Sequence, residues 1–410
     1  MKFPIYFVLK IASFKGKKNS LSQIIVFIGR MSVALGITIS LITVATGLGS
    51  KNAIKNSLGD FGGEIVIKSF RSNSSYDSSV LDTSSLGVKK IKEIPGVACV
   101  QKFITSNGII RTEDSFSGII FKGISEDFNR KRFSRFILEG EIPRFSENTL
   151  SNDILLSKKI ATAINKKLND SVVVLFSKEE KGKVLYRKFK ISGIYKTDIK
   201  MIDDLYVLGD IKHARKILGL KNHEIGGIEI YLDEIGKVDT VYLKVQDYIG
   251  YKNYAQKISD LFPQILDWIE IFDTNITLII GIMLLVVVIN IVMVLLILII
   301  ERTHSIGVLK TLGATNKEIR KIFIGYTLVI MIPGLVIGNM VGLGLLIFQK
   351  FFGIIKLDPE NYYVSVVPVD LDPFFIVLIS FGMLFFSALA LVLPSCLISK
   401  ISPIKAIKYD

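Results

Sequence analysis

Few residues in this chain have the types and spacing to do chemistry of their own. Three histidines (His213, His223, His304) and two cysteines (Cys99, Cys396) are scattered over 410 residues. Neither set has the close spacing that gathers ligands around a metal or frames disulfides. Cys99 falls in a large polar segment and Cys396 in the last apolar stretch, so the two are not expected to meet. There is no G-x-x-x-x-G-K-[ST] loop to cradle nucleotide phosphates, no G-x-S-x-G turn and no H-E-x-x-H helix. Carboxylates are plentiful between 49 and 274, but acid pairs alone ordinarily read as solvated surface. The residues predict no catalysis, no metal and no cofactor bound by this chain.

One segment does have suggestive spacing. Residues 301–315 read Glu-Arg-Thr-His-Ser-Ile-Gly-Val-Leu-Lys-Thr-Leu-Gly-Ala-Thr and lie between two very apolar stretches. Ile306, Leu309, Leu312 and Ile319 supply apolar contacts, while Lys310, Lys317, Arg320 and Lys321 face water or lipid headgroups. Gly313-Ala314-Thr315 breaks the first helix, and Thr315 with Glu318 has capping-box spacing for a second. The pattern predicts helix, break, helix at a membrane face, open to a soluble partner. On composition alone an ordinary basic cytoplasmic loop reads the same way.

The surrounding elements must hold this segment at a bilayer. Half of the residues are hydrophobic and the mean hydropathy is +0.47, too apolar for an ordinary soluble enzyme. Four stretches, 24–48, 275–300, 322–348 and 374–397, reach the roughly 20 apolar residues that cross a bilayer core. The first carries Arg30 and no small-residue cleavage site, so it reads as a retained anchor. Lysine and arginine set the orientation. They gather in the N-terminal segment 1–23, in the 301–321 loop and in the tail 398–410, which places all three in the cytoplasm. The 349–373 loop is acid-rich and, with 49–274, is expected outside. Residues 4–14 are a candidate interfacial helix, with a frayed terminus the equal alternative. The formal charge of +14 then reflects lysine-rich composition and topology. No soluble basic face with interleaved aromatics points to nucleic acid.

The fold expected is an α-helical membrane protein with four transmembrane helices plus a large mixed α+β extracytoplasmic domain. Within that domain 64–68 alternates like a strand, and 71–85, rich in Ser, Asn and Asp, reads as a loop. Ser157 is placed to cap a helix running to Leu168. Strands are expected at 171–176, 188–195 and 227–232, and helices at 211–220 and 238–258. Pro263 starts or kinks a stalk into the second span, and Trp268 is a candidate outer-leaflet interface anchor, with packing in a stalk the alternative.

The spans carry no ionisable group near mid-membrane, which argues against an ion-coupled transporter. Their polar groups are mild: Thr38, Ser40, Thr43 and Thr46, then Asn290, then Ser380 and Ser387. These bond between helices at roughly 1 kcal/mol each, or Ser40, Thr43, Thr46 and Asn290 line a lipid-accessible cavity. Gly334, Gly338, Gly342 and Gly344 permit close helix approach, and Pro333 is a kink site.

Glu301-Arg302-Thr303 followed by Ile306-Gly307-Val308-Leu309-Lys310-Thr311-Leu312-Gly313-Ala314 resembles the coupling-helix signature of permeases of the macrolide-exporter superfamily of ABC transporters. Ser305 stands where that motif usually has an acidic residue, so the resemblance places the helix but no ion pair there. Within the superfamily the chain is most similar to lipoprotein-releasing permeases. Leu357-Asp358-Pro359, Tyr362-Tyr363-Val364 and Val367-Pro368-Val369 resemble their third-to-fourth-span loop. Ser192 to Tyr195, Met201 to Asp204 and Gly227 to Ile230 resemble parts of their outer domain, and Pro403-Ile404-Lys405-Ala406-Ile407 the superfamily's closing motif.

The resemblance implies a pair of permease subunits, identical or paralogous, working with two cytoplasmic ATPases. ATP with magnesium acts through that ATPase, which moves the coupling helices at Glu301, Arg302, Thr303, Ser305, Ile306, Gly307, Lys310, Leu312, Gly313 and Ala314. A lipoprotein enters from the membrane lipids and is passed to a soluble periplasmic carrier. The nearest counterpart of the family's carrier-recruiting loop is 177–187, with Lys178, Glu179, Glu180 and Lys181 the candidate contacts and a plain hairpin turn the alternative. Two other readings stay open: a macrolide- or peptide-exporting permease, and a division-type permease that signals to cell-wall hydrolases. The size of the outer segment counts against the last.

Overall fold

A computed structural model describes residues 21–70, 79–112, 115–146, 148–178 and 183–390. The candidate interfacial helix 4–14, the contacts Glu179, Glu180 and Lys181, Cys396 and the tail 398–410 lie outside the described residues, as does the side chain of Lys178.

Helix α1 (Leu21–Gly62) leads into strand β1 (Ile65–Ser69), the short β2 (Leu81–Asp82), α2 (Val88–Lys92), β3 (Val97–Arg111) and β4 (Phe116–Ile124). Then come α3 (Arg130–Phe133), β5 (Ile137–Gly140), β6 (Asp153–Ser157), α4 (Lys158–Ala163) and the hairpin strands β7 (Ser171–Lys178) and β8 (Lys183–Tyr195). They are followed by α5 (Lys200–Leu205), β9 (Tyr206–Asp210), α6 (Ile211–Leu218), β10 (Glu224–Ile225), β11 (Gly227–Leu232), α7 (Val238–Gln246) and β12 (Asn253–Lys257). Helices α8 (Pro263–Glu301), α9 (Thr303–Thr311), α10 (Asn316–Phe352), α11 (Pro359–Tyr362) and α12 (Pro373–Ala390) complete the described chain. Four of these helices, α1, α8, α10 and α12, are long and apolar enough to cross a membrane.

The chain folds as two compact units. Of the described residues, one unit, the helical unit, holds those within 1–50, 270–355 and 366–410; the other, the outer unit, holds those within 51–269 and 356–365.

In the outer unit the strand ladders run β12-β1-β11-β3-β4-β9-β6-β8-β5. Strand β7 pairs with both β3 and β8. The six strands β3-β4-β9-β6-β8-β7 therefore close a circuit, which removes their free edges. Phe121, Phe176 and Phe189 meet inside it, at centroid distances of 5.6 Å and 5.4 Å. Gly227–Leu232 is a strand as its apolar run suggests, and all six residues are buried because β11 lies between β1 and β3. Strand β1 starts at Ile65 and is covered on both faces, so its expected alternation is absent. Strand β8 starts five residues before 188, since its N-terminal half pairs with β7 as far as Lys178 opposite Lys183.

Three expectations are corrected. Ser157 does cap a helix, its Oγ accepting from the Ile160 N–H at 3.0 Å, but α4 ends at Ala163 rather than Leu168. Asn165 turns left-handed at φ +51, a conformation Asn tolerates at helix ends. The expected helix 238–258 stops at Gln246. Gly250, at φ +68, reverses the chain, and Asn253–Lys257 becomes a strand on β1, from Ser69 opposite Asn253 to Ile65 opposite Lys257. The expected loop 71–85 contains β2, paired with β10, and a 3-10 turn over Thr83–Ser85.

Candidate functional site

The segment 301–321 forms helix, break, helix. Arg302 is the N-cap of α9, and the Thr303 hydroxyl turns back to Ile300 O at 2.8 Å. Gly313, at φ +92, ends the turn. Ala314 N–H donates to Leu309 O at 2.9 Å, a reversal that a side chain at 313 would strain. Thr315 then opens α10 with a full capping box. Its N–H and hydroxyl donate to Glu318 Oε2 at 2.8 and 2.9 Å, and Glu318 N–H donates to Thr315 Oγ1 at 3.3 Å.

Burial divides α9 into two faces. Ile306 and Gly307 are buried, as is Ile319 beyond the break. Glu301, His304, Ser305, Val308 and Leu312 are exposed, while Arg302, Thr303, Leu309, Lys310 and Ala314 are half-buried. Leu312 is 79% exposed; it and Val308, one turn apart, form an apolar pair facing outward.

The helical unit depends on glycine. An ideal Cβ at Gly334 would come within 2.8 Å of Arg30 O, and one at Gly338 within 2.6 Å of Ala34 O. At Gly342 the nearest atom is Leu41 Cδ1, at 3.2 Å. Three of the four expected glycines thus seat α10 directly on α1, while Gly344 faces open space. On another face of α1, Gly36 meets Val287 and Gly47 meets Ile276 of α8. Ser40 and Thr43 share that face by helical spacing.

The mild polar groups divide. Thr38 Oγ1 donates across to Gly338 O at 3.0 Å and Ser380 Oγ to Asn339 Oδ1 at 3.0 Å. Thr46 and Asn290 bond within their own helices, to Ile42 O at 2.7 Å and Val286 O at 2.9 Å. Ser40 Oγ is buried without a hydrogen-bond partner. A small cavity of about 10 Å³ between α1, α10 and α12 is lined by Leu41, Val44, Ala45 and their neighbours and by none of Ser40, Thr43, Thr46 or Asn290.

Trp268 lies in the outer unit, its ring edge-on to Tyr363 at 5.3 Å and Tyr362 at 6.3 Å. Those tyrosines belong to the 356–365 segment, whose Val364 is buried with Ile265, Ile269, Ile54, Leu58 and Phe61 in one core cluster.

A buried polar cluster in the same unit was missed. Lys122 of β4 pairs with Glu229 of β11 at 2.6 Å, and Glu229 also accepts from Gln101 of β3. Arg132 of α3 pairs with Glu64 at 2.6 Å, and Glu64 Oε2 accepts from Leu232 N–H at 2.8 Å. Burial raises the Glu64 carboxyl above its ordinary range, outweighing the Leu232 N–H and Arg132. The signal available was a single charge inside an otherwise apolar strand, Lys122 in Ile119-Ile120-Phe121 and Glu229 between isoleucines. Among the described residues no group of His, Cys, Asp and Glu could hold a metal.

Two family models cover this architecture. A MacB-like periplasmic core domain matches residues 31–260 and an FtsX-like permease C-terminal region matches 277–403. The chain belongs to the MacB/FtsX-like permease superfamily. Its members are ABC transporter permease subunits that lack an ATPase of their own. This permease is therefore an inner-membrane protein with a periplasmic domain. It is 20% identical over 417 residues to "Lipoprotein-releasing system transmembrane protein LolC" of Neisseria meningitidis serogroup B, covering 96% of each chain. It is 21% identical over 333 residues to the LolE protein of the same system in Haemophilus influenzae, covering 77% of this permease and 78% of that chain. Among solved structures, the periplasmic region of MacB from Actinobacillus actinomycetemcomitans matches at TM-score 0.33 and 14% identity, over 49% of this permease and 91% of that chain.

Proposed function

We propose that this permease extracts lipoproteins from the inner membrane for transfer towards the outer membrane, driven by a separate ATPase that pushes on α9. The observation that carries the reading is the outward apolar pair Val308 and Leu312, 40% and 79% exposed, on and capping a short helix between two long apolar ones. An ATPase groove would cover that pair, while the buried Ile306 and Gly307 pass its motion to the neighbouring helices. The names of the relatives supply the substrate class. Lifting acyl chains out of a bilayer costs about 0.8 kcal/mol per CH₂, so the work must come from outside a chain without a phosphate-binding loop. In this reading both termini and 301–321 are cytoplasmic, and a second permease subunit completes the assembly. A periplasmic carrier takes the product, with Lys178, Glu179, Glu180 and Lys181 the candidate contact.

Leu312→Asp and Val308→Asp place a charge on the exposed face without touching the core. They should abolish co-purification of the ATPase and lipoprotein release while membrane insertion stays normal. Gly307→Asp and Gly313→Pro should also stop release. Wild-type release from Leu312→Asp would refute the coupling role. Lipoproteins that do not accumulate at the inner membrane on depletion would refute the substrate class and favour the hydrolase-signalling alternative.

A further inference from the structure

Helix α1 runs unbroken from Leu21 to Gly62 and carries no basic residue in its last turn. A helix end of this kind presents unpaired carbonyls and about half a negative charge. Asp60 adds a full negative charge there, and Glu64 adds another just beyond. The last turn of the helix supplies no cation beside them.

The balance comes from elsewhere in the outer unit. Lys122 Nζ, from β4, donates to Phe61 O at 3.1 Å and sits 4.5 Å from the Phe61 ring centroid. Arg132 Nη1 lies 2.6 Å from Glu64 Oε1 and 3.6 Å from Asp60 Oδ1. Its other Nη donates to Leu232 O of β11, and its guanidinium lies over the Tyr231 ring at 5.4 Å. Arg135 Nη1 reaches Asp60 Oδ2 at 2.5 Å, and its Nη2 donates to Ser57 Oγ at 2.8 Å. Three cations, from β4, from α3 and from the 3-10 turn Ser134–Phe136 that follows it, thus grip one helix end.

We propose that Lys122, Arg132 and Arg135 are positioning residues that fasten the end of α1 to the outer unit, Lys122 and Arg132 to the strands β4 and β11 and Arg135 to the turn after α3, so that displacement of α1 is delivered to that unit. This rests on the ATP-driven reading above. Adhesion does not need them. Ile54, Leu58 and Phe61 already bury the same turns in an apolar cluster, which is non-directional and lets a helix slide or roll. The Lys122–Glu229 pair is almost fully buried, with 3% and 5% of the side chains exposed. A buried pair of that kind rarely out-stabilises a well-packed apolar one. Charge-assisted bonds fix distance and direction, and the groups they hold are the carbonyl end of α1, its Asp60, and Glu64 just beyond. The distinct contribution of the three cations is therefore the orientation of the helix end.

The test uses the full chain with its ATPase and second subunit in proteoliposomes. The double variant K122M/E229L replaces the buried pair with apolar side chains. Its expected result is a thermal midpoint and ATP hydrolysis like wild type, faster amide exchange over 57–63, and lipoprotein release reduced about tenfold. Wild-type release with unchanged exchange would overturn the proposal, since a purely structural pair would behave that way. If the double variant does not fold, R135Q decides, because that guanidinium is 43% exposed and its loss strands no buried charge in the sheet. Reduced release from R135Q, restored by R135K, supports the grip; wild-type release from R135Q overturns it. Failure of the ATP-driven reading itself is distinguishable, because the wild-type assembly would then show no ATP-dependent release.

Discussion

Gly338→Ala tests the packing on which the helical unit depends. In the middle of a helix Ala is favoured over Gly by about 1 kcal/mol, so composition alone predicts a more stable protein. The structure predicts the reverse. The new methyl would stand 2.6 Å from Ala34 O and 3.0 Å from Ala34 Cα, backbone atoms that no rotamer change can move. Overpacking of this kind costs about 1–3 kcal/mol. Parting the helices also weakens the bond from Thr38 Oγ1 to Gly338 O, worth roughly 0.6 kcal/mol between membrane helices. Gly344→Ala is the internal control, since a methyl there meets nothing within 4 Å and keeps the propensity gain. Gly338→Ala should therefore be less stable than Gly344→Ala by about 2–4 kcal/mol. SDS titration of the detergent-purified protein, followed by circular dichroism, reads this difference as a shift in midpoint. Equal midpoints for the two variants would refute the direct seating of α10 on α1.

The outer unit offers two further tests. Burial raises Glu64 above its ordinary 4.5 and Asp203 above its ordinary 3.8. A raised carboxyl favours folding fully below its unfolded value, and that contribution is lost as pH rises through the folded one. The thermal midpoint of the outer unit should therefore rise as pH falls from neutral towards 4.5, and Glu64→Gln, fixed in the neutral form, should flatten the slope. Ser157→Ala removes the cap of α4 and the hydroxyl donor to Asp203 O. It should cost about 1–2 kcal/mol in denaturant unfolding.

What the residues disclosed was local. Thr315 and Glu318 are three apart, and a capping box needs nothing else. Gly338 and Gly342 are one turn apart, and close approach needs only the missing side chains. Gly227–Leu232 announced itself by an apolar run with β-branched residues. The failures share a cause in distant partners. Residues 253–257 are a strand because β1 lies free beside them, which no window of sequence can display. Helix α1 outlasts the hydropathy of its span, which reads as ending at 48, because Ile54, Leu58 and Phe61 recur on one face and find a core there. Lys122 and Glu229 are each a lone charge in an apolar strand, and only the fold brings them together.

The membership of residues 356–365 in the outer unit has a practical consequence. Cutting the chain at 51 and 269 to obtain a water-soluble piece would discard Tyr362, Tyr363 and Val364, and with them one wall of the cluster around Trp268, Ile265 and Ile269. The bared indole and isoleucines would invite aggregation. Lys159, which salt-bridges Glu360 at 2.9 Å, would keep only Asp204 as a salt-bridge partner. A faithful periplasmic fragment has to be stitched, with Lys356–Ser365 tethered back onto the 269 end.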